Sequence, residues 1–83
     1  DRFPCLGIAY DALAQGGTAT AAMNGANERA VEVFVAGQCR FADIPVMIRA
    51  AVENHDFIAE PTVADLIETD RAAKRFIDGM INR

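Results

Sequence analysis

The twelve residues MNGANERAVEVF, Met23–Phe34, decide the fold class. At 3.6 residues per turn, positions 24, 27, 28, 31, 34 and 35 fall on one helical face. Val31, Phe34 and Val35 form an apolar stripe there, and Arg29 and Glu32 fall on the opposite side. The pattern predicts an amphipathic core helix whose stripe is headed by three polar residues, Asn24, Asn27 and Glu28. A polar group turned into an apolar face costs roughly 1 to 3 kcal/mol unless a partner takes up its hydrogen bonds. Two readings follow for the trio: a satisfied structural network at the helix start, or a docking or ligand face.

Working outward, helical signals recur and strand signals barely appear. Pro4 suits a first helical turn, and Leu6, Ala9, Tyr10 and Leu13 follow at helical spacing until Gly16-Gly17, predicting a first helix over residues 4–15. Thr18 can cap a short turn through Met23, with a break between Thr20 and Gly25, before the second helix runs to Ala36 with Gly37 beyond its end. QCRF reads as an extended connector. Asp43 before Ile44-Pro45 has the form of an N-cap, and Ile44, Met47, Ile48, Ala51 and Val52 give a third amphipathic helix ending near Asn54. HDFIAEP is a loop in which Phe57 and Ile58 tuck onto the core. Thr62 and Asp65 resemble a capping box. Val63, Leu66 and Ile67 make one stripe, and Ala73, Phe76, Ile77, Met80 and Ile81 make another rotated by roughly 60°. That phase shift predicts two pieces, the second capped by Thr69 or Asp70. The fold class is therefore all-α, a compact bundle of four to five short helices, in one domain over residues 1–83.

Composition narrows the function classes. The chain is 52% apolar and 24% charged, the balance of a globular domain. Its net charge of −4 and lack of any Lys/Arg run give no electrostatic footprint for DNA or RNA. No stretch approaches the roughly 18 apolar residues of a membrane span, and no signal peptide opens the chain, which predicts a soluble, cytoplasmic domain. A disulfide between Cys5 and Cys39 is geometrically possible, but the pair reads first as reduced, small, buried hydrophobes. The chain opens on Asp1 and not on methionine, which fits a piece of a longer protein.

The inventory of reactive groups is thin. Gly16-Gly17 follows a helix and lacks the spacing of a phosphate-binding loop, so its expected role is to end that helix. His55 is the only histidine, the chain has no serine for it to activate, and its expected place is the C-terminus of the third helix. Asp65, Glu68 and Asp70 are acidic but lack calcium-loop alternation, and read as carboxylates at helix starts. No residue is assigned a catalytic, cofactor-binding or metal-binding role. The candidates for structure or docking remain Asn24, Asn27 and Glu28.

The run RFPCLGIAYDALAQGGTATAAMNGANERAVEVFVAGQCRFADIP, Arg2 to Pro45, resembles the start of the C-terminal helical domain of 1-deoxy-D-xylulose 5-phosphate reductoisomerases. The matching pattern is an F/Y-P-C-L opening, a helix ended by glycines, an N-A-A-N-E segment, then A-G and R-F-x-D-I-P. PTVADLIETDRAAKRFI is similar in layout with weaker motifs, and Gly25 stands where the family usually has alanine. The resemblance implies a parent enzyme that isomerises 1-deoxy-D-xylulose 5-phosphate and reduces the product with NADPH and a divalent metal, Mg or Mn. The product is 2-C-methyl-D-erythritol 4-phosphate, an isoprenoid precursor. It also implies a homodimeric parent whose nucleotide-binding and metal-binding machinery lies upstream of Asp1. These residues would then form an accessory domain, inactive alone, partnered by the catalytic domain of the same chain. A free-standing helical interaction module is the alternative that composition and length also permit.

Overall fold

A computed structural model describes residues 4–82. They form four helices: α1 (Pro4–Gln15), α2 (Ala19–Val35), α3 (Asp43–Asn54) and α4 (Val63–Ile81). Arg2 and Phe3 of the opening motif lie outside the described residues. α2 and α3 pack on each other, and both touch α1 on one side and α4 on the other; α1 and α4 do not meet. The bundle measures 36 × 27 × 17 Å along its principal axes, so its shortest dimension holds two packed helices, whose axes lie about 8 to 10 Å apart, and no more. So thin a body has one shared core and a large outer surface.

The core face of α2 is not the predicted one. Ala19, Ala22, Ala26, Ala30 and Val33 are buried, whereas Asn24, Asn27, Glu28, Val31, Phe34 and Val35 are exposed. The predicted face exists as a contiguous stripe, but it points outward. Small side chains on the inner face let the neighbouring helices approach closely, and Ile48 and Ile77, from α3 and α4, fill the space. Gly25 marks the tightest crossing: a Cβ there would sit 2.7 Å from the Asp70 main-chain oxygen on α4. The predicted break between Thr20 and Gly25 is absent, because that close packing holds the helix through the glycine.

α4 likewise runs unbroken where two pieces were predicted. Its core-facing residues are Thr69, Ala73 and Ile77, with Phe76 and Met80 partly buried against the same cluster. Val63 and Ile67 point outward, so the change of phase is a second exposed stripe on a straight helix. Thr69 caps nothing; its hydroxyl donates to the Asp65 carbonyl one turn back, 2.8 Å away. The Thr62–Asp65 capping box is present in both directions, with Asp65 in the role usually held by Glu or Gln.

The connections follow glycine and threonine chemistry. Gly16 and Gly17 both take positive φ, 73° and 53°, and end α1. α2 ends in a Schellman motif in which Gly37, at φ 77°, donates to the Phe34 carbonyl and Gln38 to that of Val33. The 38–41 connector is a set of bends and turns and not an extended segment. Ala42, not Asp43, is the residue before α3; the Asp43 carboxylate instead accepts from the Arg40 main-chain N–H and guanidinium. α3 buries Ile44, Met47, Ile48 and Ala51 as its spacing predicts. Phe57 and Ile58 are 42% and 37% exposed, so their loop is held by its backbone and not by burying these rings and branches.

Candidate functional site

The three polar residues at the head of α2 diverge. Glu28 reaches Lys74 on α4, with Oε1 3.4 Å from Nζ. Lys74 is also paired with Asp70 at 3.0 Å. The hydrogen bond to Asp70, then the charges of Asp70 and Glu28, raise the Lys74 ammonium above its ordinary range despite some desolvation. Asn24 and Asn27 face outward, and neither makes a side-chain hydrogen bond among the described residues. The structure thus brings the trio onto one outer face without joining its members.

Asn27 opens onto a groove of about 800 Å³ between α1, α2 and the start of α3. Pro4, Cys5 and Leu6 form one wall, Val31 the floor beside Asn27, and Phe41, Ile44 and Pro45 the other wall. Among the described residues no charged side chain lines it. Phe34 extends the apolar surface by meeting Phe41 edge-on, with ring centroids 5.6 Å apart. Sequence periodicity identified Val31 and Phe34 as apolar partners of Asn27 but placed the whole stripe inside. The walls from α1 and α3 carry no sequence signal of a shared groove, since only the topology brings them together.

A second polar arrangement joins the ends of three helices. Thr18, fully buried, donates its main-chain N–H to the Ile58 carbonyl and accepts the Ile58 N–H on Oγ1, at 3.0 and 2.9 Å. The His55 ring sits between Thr18 Oγ1, 3.0 Å from Nε2, and the Val52 carbonyl, against Nδ1. A neutral ring protonated on Nδ1 satisfies every group: Nδ1–H donates to Val52, and the Thr18 hydroxyl donates to Nε2. His55 is therefore a structural clasp at the end of α3. The direction a Cβ on Gly17 would take is filled by the Ile58 carbonyl.

The acidic residues at the start of α4 each have another partner. Asp65 serves its capping box, Glu68 binds Arg75 at 2.6 Å and Asp70 binds Lys74. Among the described residues, no group of three or more His, Cys, Asp or Glu is placed to hold a metal ion. Hydrogen bonding to Arg75 holds Glu68 below the usual carboxylate range, and Arg40 does the same for Asp43. A shallow groove of about 330 Å³ between the end of α3 and α4 has Ala73 and Phe76 at its base and Asp56, Asp65 and Glu68 on its rim. Both cysteines are free. Cys5 is exposed, contrary to expectation, while Cys39 is half-buried and burial, aided by Asp43, pushes its thiol up. Among the described residues no helix is long and apolar enough to cross a membrane.

The sequence pattern of the DXP reductoisomerase C-terminal domain matches residues 1–76. The chain belongs to that family. It is 38% identical over 81 residues to the 1-deoxy-D-xylulose 5-phosphate reductoisomerase of Acetivibrio thermocellus, covering 98% of this chain and 21% of the relative. It is 48% identical over 73 residues to that of Methylobacillus flagellatus, covering 88% of this chain and 18% of the relative. The Pelotomaculum thermopropionicum enzyme is 44% identical over 73 residues, 88% of this chain and 19% of the relative. The chain thus spans about a fifth of the length of the curated relatives it matches. The DXP reductoisomerase C-terminal domain is here a four-helix bundle, and the groove beside Asn27 is built by its first three helices.

Proposed function

We propose that this bundle is the accessory C-terminal domain of a cytoplasmic 1-deoxy-D-xylulose 5-phosphate reductoisomerase, a homodimeric enzyme using NADPH and Mg or Mn. In this role it supports the catalytic domain of its own chain and contributes no reacting group. The observation that carries the proposal is the family match over residues 1–76 in a chain a fifth as long as its relatives. The outward stripe of α2 supports it further, because a helix with small residues inside and Val31, Phe34 and Val35 outside has a second surface suited to contact.

Asn24, Asn27 and Glu28 serve docking on this view, with Glu28 also tying α2 to α4. Replacing Asn27 with leucine separates docking from an internal network. In the 83-residue chain the unfolding free energy should change by less than about 0.5 kcal/mol, as expected for an exposed position. In the full-length enzyme the same change should lower the melting temperature or turnover. Full-length melting and turnover both equal to those of the unsubstituted enzyme would count against the docking role.

A further inference from the structure

The apolar surfaces left without a partner among the described residues include the groove beside Asn27 and the outer stripe of α4 at Val63 and Ile67. Building on the accessory-domain reading, we infer that the groove face, and not the α4 stripe, is the surface covered by the domain that precedes this bundle in the same chain. Three observations favour that occupant. The family is a C-terminal domain whose relatives are about five times as long, so most of a full-length chain precedes this region. α1 starts at Pro4, and Pro4 and Leu6 form a wall of the groove. The first turn of α1 therefore stands at the groove's edge, whereas Val63 and Ile67 lie on the helix that never touches α1.

The groove also has the chemistry of an intramolecular contact. Among the described residues its lining is uncharged, with the Asn27 amide placed to set register among Leu6, Val31, Phe41 and Ile44. Domain neighbours within one chain can bury such a surface without first losing the translational freedom of two free molecules. The α4 stripe offers less: Val63 and Ile67 line neither this groove nor the shallow one between α3 and α4, and carboxylates of Asp65 and Glu68 stand beside them in sequence.

The test is thiol footprinting of the full-length enzyme. Val31→Cys and Ile67→Cys place probes at positions of similar exposure in the bundle, 43% and 49%. Each labelling rate is read by peptide mass spectrometry and divided by the rate for the same peptide in denaturant, which removes intrinsic reactivity. The inference expects the Val31→Cys thiol to react more than about tenfold slower than the Ile67→Cys thiol, independent of protein concentration. The native Cys5, on the groove wall, should be protected in parallel. A reactive Val31→Cys with a protected Ile67→Cys overturns the face assignment and leaves the accessory-domain reading standing. Two reactive thiols overturn docking through either face. Protection that fades on dilution means that a second copy covers the groove, which also overturns the inference.

Discussion

Thr18 shows how much of this fold rests on single groups. Its hydroxyl serves the Ile58 N–H and the His55 ring at once in a fully buried position, and makes none of the cap bonds its place before α2 predicts. Thr18→Val keeps the shape and leaves both partners unserved, so the 83-residue chain should lose about 1 to 3 kcal/mol in urea unfolding. A loss below the error of the experiment would mean that water replaces the hydroxyl. Gly25 is the complementary case, a position where nothing can be added. Alanine would gain about 1 kcal/mol of helix propensity, but its Cβ meets the Asp70 backbone, and overpacking of this kind costs about 1 to 3 kcal/mol. Gly25→Ala should therefore be destabilising on balance, seen as a lower urea midpoint with an unchanged slope. A raised midpoint would show that α2 and α4 separate easily. Gly25 was legible in the sequence only as a weak helix start, because the feature that requires it lies 45 residues away on another helix.

At the scale of elements, periodicity located all four helices, and the spacing in α3 named its buried residues. It did not say which face of α2 or α4 turns inward. Val31, Phe34, Val63 and Ile67 look like core by size and spacing, and in the bundle they face out, while alanines make the inner contacts. The physical reason is that amphipathic patterning reports burial against any partner, whether inside this bundle or beyond it. The same error produced the two-piece reading of α4, which assumed that both of its stripes must meet one core. The distinction can be measured. Ile77→Ala removes a fully buried side chain and should cost about 2 to 5 kcal/mol in the 83-residue chain. Ile67→Lys, nearly three turns earlier on the same helix, should stay within about 0.5 kcal/mol of the parent. Comparable losses for both would place Ile67 in the core after all.

As a whole molecule, the bundle is a thin body with one modest core and more apolar surface than its own packing uses. Asp65, Glu68 and Asp70 are engaged with a cap, an arginine and a lysine, and His55 with Thr18 and a backbone carbonyl, an arrangement that suits the proposed supporting role. The groove was not legible in the sequence, since its walls come from three helices separated by turns, but its most telling residue, Asn27, stood out as polar within an apolar stripe. Support of this kind acts through geometry, and a displacement of about 1 Å far from the reacting atoms can cost roughly 100-fold in rate. The most direct measurement is NADPH oxidation driven by 1-deoxy-D-xylulose 5-phosphate in the full-length enzyme and in the same enzyme ending before Pro4. The account predicts a loss of roughly 100-fold or more on removing the bundle. Full turnover without it would contradict the account.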